Sequence, residues 1–188
     1  MKTITVPEKE QLSFGAQSIL GSIEKKMGKI PNLYATIGYS SSALKSLLET
    51  EASLVHDSSF TAKEREAINL VVSQVNECEY CLAAHTTLAK MRGFTEEDTL
   101  EVRKGSFSDS KLDAIIKLAQ SIANNKGNAG NGDLENFFNA GYDVYWESEG
   151  SLCLCDEFRG IARYSYGVGR HCPNLAGLER AQTFAKAA

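Results

Sequence analysis

The sequence predicts an all-α protein, and three observations support that fold class. Several segments repeat their apolar residues at intervals of three and four, which is the spacing of a helix that buries one face. No segment shows a convincing run of the alternating apolar and polar residues that marks a half-buried strand. Residues typical of helix starts and stops bracket the periodic segments. We therefore expect a helical bundle built around an antiparallel helix hairpin.

Length and composition are those of one globular domain. The chain has 188 residues, of which 43% are apolar, 23% are charged and only three are proline. Such a chain can bury a sizeable core but is short for two ordinary domains, so residues 1–188 are expected to form a single domain.

The charge and hydropathy patterns argue against two classes of partner. The net charge is −4 and no dense block of Lys or Arg occurs, so no nucleic-acid partner is expected. No stretch approaches the roughly 20 consecutive apolar residues of a membrane span. The N-terminal residues lack the apolar run of a secretory signal. These features predict a cytoplasmic protein without a membrane partner.

The first third of the chain predicts two helices joined by an irregular connection. The first helix covers 8–28 and ends at Gly28, a typical stop. The connection covers 29–40 and contains Pro31 and Gly38. The second helix covers 41–55. Their predicted core stripes are Leu12, Ile19 and Ile23 in the first helix, and Leu44, Leu47, Leu48 and Leu54 in the second.

The middle of the chain predicts the central hairpin. Thr61 and Glu64 have the spacing of a capping box, which opens a helix that runs to Val75. Asn76 has the same relation to Glu79, so a second helix is expected to start there. That helix should run to about Met91 and be closed by Gly93.

The remaining segments predict further helices and one unassigned stretch. Thr95 caps a short helix, a longer helix covers 110–127, and a loop over 128–133 precedes a short helix over 134–141. The segment 143–175 is rich in aromatic residues, Cys, Gly and Arg, and it shows no sustained helical face. Its structure is not predicted.

Residues 78–85 read CEYCLAAH, and they carry the candidate chemistry. On a helix that starts near Asn76, Cys78 lies in the first turn, with Cys81 and His85 at spacings of three and four along the same face. The unpaired N–H groups of a helix N-terminus stabilise a thiolate. The motif therefore indicates a reactive thiol pair.

Glu66 adds a carboxylate to this group. In an antiparallel hairpin that turns near Asn76, Glu66 and His85 both lie roughly 14 to 15 Å from the turn, because each helical residue rises about 1.5 Å. Glu66 can then orient His85 or take its proton, so that His85 acts as a base toward Cys81. Cys78 can close a disulfide on an oxidised Cys81. These four residues predict a dithiol redox centre.

Two other interpretations of the cysteines remain open at this point. The pair can be ordinary core packing, because cysteine is often buried. It can also be half of a zinc site, because zinc needs four ligands that usually come in two pairs. The later candidates for the second pair are Cys153, Cys155, His171 and Cys172. Of the neighbouring residues, Tyr80 is expected to pack and His56 to be exposed.

The segment EREAINLVVSQVNECEYCLAAHTTLAKMRG, over 64–93, resembles a known family. It is similar to the core of the alkylhydroperoxidase D-like (AhpD-like) group of the carboxymuconolactone decarboxylase superfamily, specifically its peroxidase-related branch. The shared pattern is a glutamate twelve residues before Cys-x-x-Cys-x-x-x-His, followed by a closing glycine. The resemblance is clearest over 28–142.

This resemblance implies an all-helical homo-oligomer, often a trimer or hexamer, with thiol-dependent peroxidase activity. Cys81 matches the cysteine that attacks the hydroperoxide, and Cys78 matches the resolving cysteine. Glu66 and His85 match the proton relay. An external dithiol would be the reductant, and no metal or organic cofactor is required. Tyr80 departs from those members that have a histidine between the two cysteines.

Two alternatives and one departure accompany this assignment. The same residues would suit a thiol-disulfide oxidoreductase that acts on a protein partner, and the chain could instead be a structural or zinc-stabilised helical module. The segment 143–175 stands where the family continues with an apolar helix. We hypothesise that two compensating frame changes produced this segment, which reading the gene in the neighbouring frame would test.

Overall fold

A computed structural model describes residues 5–56 and 59–143. Within these residues the fold is a 3₁₀ turn followed by eight α-helices, without strands, so the predicted all-α class is confirmed. The turn is Lys9–Gln11. The helices are α1 Phe14–Met27, α2 Asn32–Ile37, α3 Ser41–His56, α4 Ala62–Val75, α5 Glu79–Met91, α6 Glu96–Arg103, α7 Ser110–Asn124 and α8 Asn131–Asn139.

Helices α1 to α3 enclose a small apolar core of their own. Its buried members are Leu12, Ala16, Leu20, Ile23 and Leu44. Ile19 and Leu48 are partly buried at its margin, so most of the two predicted stripes is confirmed. Leu47 and Leu54 do not belong to this core and instead line a cavity next to the central hairpin.

Two boundaries in this region differ from the prediction. The first helix begins at Phe14, because the Ser13 hydroxyl caps it by accepting a hydrogen bond from the amide of Ala16. The connection 29–40 was predicted to be irregular, but it contains the six-residue helix α2. Pro31 immediately precedes that helix, where its missing N–H costs nothing, and six residues are too few to show a periodic face. Gly28 ends α1 as predicted, with φ of 75°.

Helix α4 is the centre of the larger core. It packs against α5, α6 and α7, and α8 packs against α7. Its inward residues are Ala67, Ile68, Leu70, Val71 and Val72. The matching residues of α7 include Leu112, Ile115, Ile116, Leu118 and Ala119. Burial of these faces fixes the hairpin of α4 and α5 that carries the candidate site.

The start of α5 corrects the predicted hairpin. Thr61 and Glu64 form the expected capping box at the start of α4. Asn76, however, is the C-cap of α4 and not the N-cap of α5. Glu77 has a positive φ of 53°, so the right-handed helical conformation cannot continue from α4 into α5 at this residue. Cys78 is therefore the N-cap of α5, one residue before its first turn. The helix ends at Met91, as predicted.

The later elements agree with the prediction in part. Thr95 caps α6 with a capping box, and α7 covers most of the predicted 110–127. Helix α8 begins at Asn131, inside the predicted loop 128–133. Apart from Asp143, the unassigned segment 143–175 lies outside the described residues. No helix in the described part of the chain is long and apolar enough to cross a membrane.

Candidate active site

Cys78 and Cys81 are joined by a disulfide at the N-terminus of α5. Cys78 is the N-cap, and its Sγ accepts a hydrogen bond from the amide of Cys81 at 3.3 Å. The two residues are only 7% and 8% exposed, respectively. The pair therefore lies beneath the protein surface and against the positive end of the helix dipole, and the helix dipole favours a thiolate after reduction.

Glu66 of α4 and His85 of α5 meet across the hairpin. Oε2 of Glu66 lies 2.8 Å from Nδ1 of His85, so their predicted proximity is confirmed. Both side chains are largely buried. Because a carboxylate only accepts hydrogen bonds, Nδ1 is the nitrogen that donates, and Nε2 is the basic nitrogen of the neutral ring. Glu66 thus fixes the orientation and tautomer of His85.

A cavity of about 380 Å³ lies between this hairpin and helices α2 and α3. Cys81 and His85 are part of its wall, whereas Cys78 is not. Its apolar residues include Pro31, Leu33, Leu47, Leu54 and Leu88. Its polar residues are Tyr34, Glu51, Arg65, Glu66, Asn69, Tyr80, Cys81 and His85. Cys81, the histidine and its carboxylate therefore open onto one concave space of ligand size.

Comparison with protein families agrees with this arrangement. The carboxymuconolactone decarboxylase family model matches residues 42–121, which include α4, the disulfide and His85. Over these residues the chain is similar to the carboxymuconolactone decarboxylase family. No curated protein matches the chain at a significant level.

Solved structures share the AhpD-like fold. One is a peroxidase-related protein of Ralstonia eutropha JMP134, described as an alkylhydroperoxidase AhpD core. Its sequence is 18% identical to this one, and the superposition has a TM-score of 0.71 and includes 84% of this chain and 86% of the other. A peroxidase-related protein of Silicibacter sp. TM1040 is 16% identical with a TM-score of 0.73, and 90% of each chain is covered. A third is the debrominase Bmp8, solved as a cysteine-to-alanine variant in complex with 2,3,4-tribromopyrrole. Its sequence is 11% identical, and the superposition has a TM-score of 0.68 and includes 83% of this chain and 84% of the other. The fold therefore serves more than one chemistry.

Sequence reasoning missed four polar residues of the cavity. Asn69 follows Glu66 by three residues, so helical spacing alone points to the same face. Arg65 is adjacent to Glu66, and its Nη1 donates a hydrogen bond to the carbonyl of Phe60 at 2.6 Å. Tyr34 and Glu51 gave no such signal, because they come from α2 and α3. There the Tyr34 hydroxyl donates to Oε2 of Glu51 at 3.0 Å.

Glu64 is a second buried carboxylate of α4, but it is not among the cavity residues. Its Oε2 accepts hydrogen bonds from the amide and hydroxyl of Thr61, and its Oε1 accepts one from the Tyr142 hydroxyl at 2.7 Å. Burial, and then the hydrogen bond to Glu64, raise the pKa of Tyr142 above its ordinary value. This network ties the start of α4 to the chain that follows α8 and so supports the helix that carries Glu66.

The remaining sequence-predicted residues fall in different places. Tyr80 was expected to pack, but it lies on the cavity wall with its side chain exposed, and His56 is exposed as expected. Cys153, Cys155, His171 and Cys172, the residues considered as further zinc ligands, lie outside the described residues. Within 5–56 and 59–143, no three His, Cys, Asp or Glu side chains are grouped as a metal site.

Proposed function

We propose that the chain is a thiol-dependent peroxidase of the alkylhydroperoxidase type. The observation that carries this proposal is the common cavity: Cys81, disulfide-bonded to Cys78, shares it with His85, and Glu66 holds His85 at 2.8 Å. A nucleophilic sulfur, a general base and an acceptor behind that base are the groups that peroxide reduction needs.

The proposed cycle begins with the reduced pair. Nε2 of His85 takes the proton of the Cys81 thiol, and the resulting thiolate attacks the terminal oxygen of a hydroperoxide. The O–O bond breaks, the alkoxide leaves with the proton held by His85 as an alcohol, and Cys81 becomes a sulfenic acid. Glu66 stabilises the imidazolium between these two steps.

The Cys78 sulfur then attacks the sulfur of the sulfenic acid. An S–S bond forms, and the hydroxyl leaves as water with the proton of Cys78. An external dithiol reduces the disulfide by exchange and is itself oxidised to a disulfide. All electrons come from this dithiol, so the cycle as written requires no metal, haem or flavin.

The alternative of a thiol-disulfide oxidoreductase acting on a protein partner uses the same residues. Burial of both cysteines favours the peroxidase, because a protein disulfide would have to reach sulfurs on residues that are at most 8% exposed. A small hydroperoxide can approach Cys81 through the cavity. Peroxide therefore suits the site better than a folded protein substrate.

We also propose that the chain forms a homo-oligomer, as the family resemblance implies. Large apolar side chains at the cavity margin are exposed, including those of Met27, Val55 and Leu88. Met91, one turn after Leu88 on α5, is 74% exposed. A second copy of the chain would cover this apolar rim and shield the redox pair from water.

The test of the peroxidase is a single-turnover experiment on the full chain. Reduced protein mixed with cumene hydroperoxide should form the Cys78–Cys81 disulfide, detected by mass spectrometry, and release one alcohol per disulfide. Cys81→Ser should abolish the reaction. Cys78→Ser should reduce one equivalent of peroxide and stop at an oxidised Cys81. Unchanged turnover by Cys81→Ser protein would refute the mechanism.

A further inference from the structure

The cavity wall contains a guanidinium that the proposed redox cycle does not use. One nitrogen of Arg65 donates to the carbonyl of Phe60. Among residues 5–56 and 59–143, no carboxylate lies within ion-pair distance of Arg65. A guanidinium presents several N–H donors in a planar fork, and one carbonyl satisfies only part of it.

The carboxylates that line the same cavity have other partners. Glu66 accepts from His85, and Glu51 accepts from the Tyr34 hydroxyl. Neither carboxylate serves as the counter-ion of Arg65. Arg65 is a cation with no counter-ion among residues 5–56 and 59–143, and it lies in a wall that is otherwise rich in leucine. This setting favours an anionic group on the molecule that occupies the cavity. The guanidinium fork matches a carboxylate in two parallel hydrogen bonds.

Arg65 and Cys81 lie toward opposite ends of the hairpin. Glu66 and His85 are level with each other, and Cys81 is one helical turn nearer the loop between α4 and α5. The Arg65 side chain reaches the other way, to Phe60 before the start of α4. With about 1.5 Å of rise per residue, one residue from Arg65 to Glu66 and four from Cys81 to His85 separate the levels of Arg65 and Cys81 by about 7.5 Å, and the Arg65 side chain extends away from Cys81.

We propose that the occupant of this cavity is an amphipathic organic acid whose carboxylate binds Arg65. Its apolar chain would lie against Leu47, Leu54 and Leu88, and its far end would reach Cys81. If the proposed peroxidase function holds, the substrate is then a hydroperoxide that carries a carboxylate several bonds from the O–O group. The volume of about 380 Å³ is that of a pocket for a small ligand.

Equilibrium binding tests the assignment without any peroxide chemistry. Decanoate and decanol, which share a chain and differ in charge, are titrated into the full-length protein by calorimetry. Wild type should bind decanoate about 10-fold more tightly than decanol, the effect of one charged hydrogen-bonded pair. Arg65→Gln should remove the preference, and Arg65→Lys should keep part of it. Lys45→Gln removes an exposed positive charge from α3, away from the cavity, and should change nothing.

Equal affinity of wild type for the two probes, or no binding of decanoate, would overturn the assignment even if Arg65→Gln failed to fold. So would a preference that survives in folded Arg65→Gln protein. Kinetics separate this inference from the proposed function. Arg65→Gln should raise KM about 10-fold for a hydroperoxide of a fatty acid but not for its methyl ester. If the wild-type protein reduces no hydroperoxide, the proposed peroxidase function is wrong, but the binding experiment still decides the role of Arg65.

Discussion

Oε2 of Glu66 lies 2.8 Å from Nδ1 of His85, across the hairpin of α4 and α5. The two residues are nineteen positions apart in the chain, and they meet because each lies about the same number of helical residues from the turn. This contact gives His85 a defined basic nitrogen and provides a negative charge behind it. It also ties the geometry around Cys78 and Cys81 to the packing of α4 against α5.

Glu66→Gln should lower kcat/KM for cumene hydroperoxide by about 100-fold, because the amide can still accept from His85 but no longer stabilises the imidazolium. The matched control is Glu49→Gln, which changes an exposed carboxylate on α3. The double variant Glu66→Gln/His85→Asn should be no slower than His85→Asn alone, because the two residues act as one unit. Equal rates for the two single glutamine variants would remove Glu66 from the relay.

Tyr142→Phe should destabilise the protein by about 1–3 kcal/mol, because it leaves Oε1 of buried Glu64 without its tyrosine donor. Urea denaturation at neutral pH measures the change. Tyr39→Phe is the control, since that hydroxyl donates to a backbone carbonyl at an exposed position. An equal effect of the two substitutions would contradict a special role of the Tyr142–Glu64 hydrogen bond.

Alkaline pH should weaken the wild-type protein more than Tyr142→Phe. Burial, and then the hydrogen bond to Glu64, raise the pKa of Tyr142 above its ordinary value near 10. The folded chain therefore keeps a proton that the unfolded chain loses, so this contribution to stability is complete below about pH 10 and declines as the pH rises further. Urea midpoints followed from about pH 8 to 11 compare the two proteins. Parallel declines would contradict the raised pKa of Tyr142.

Thr61→Ala should lower the free energy of unfolding by about 1–2 kcal/mol, because the Thr61 hydroxyl both accepts a hydrogen bond from the Glu64 amide and donates one to the Glu64 carboxylate. Thr61→Ser keeps the hydroxyl and should recover most of the loss. Thr95→Ala removes the corresponding, more exposed cap of α6 and should cost less. Thermal unfolding of the three variants gives the comparison. If Thr61→Ser is as unstable as Thr61→Ala, the lost stability comes from the threonine methyl group and not from its hydroxyl.

Leu88→Asp should dissociate the proposed homo-oligomer, because it places a charge in the exposed apolar rim of the cavity. Thr87→Asp adds the same charge one position away on α5, at an exposed residue outside the cavity lining, and should leave the assembly intact. Light scattering after size-exclusion chromatography measures the mass of each. An unchanged mass for Leu88→Asp would place any interface elsewhere.

Part of the site was predictable because helix geometry is local. The spacing of Cys78, Cys81 and His85 places them on one face of one helix, and the level of Glu66 follows from counting residues on both sides of a turn. The start of α5 was less predictable. Asn76 and Glu79 have the pattern of a capping box, but the positive φ of Glu77 moves the N-cap to Cys78. A backbone angle of this kind has no clear signature in the side chains.

The sequence by itself determined the all-α class, the hairpin and the group of Cys78, Cys81, His85 and Glu66, since these depend on periodicity, caps and residue counts over short distances. Only the tertiary structure decided what faces that group. Tyr34 and Glu51 reach the cavity through the packing of α2 and α3, and Arg65 lines it because of how α4 is rotated against its neighbours. Such contacts depend on the burial of whole helix faces far apart in the chain, which local patterns do not encode.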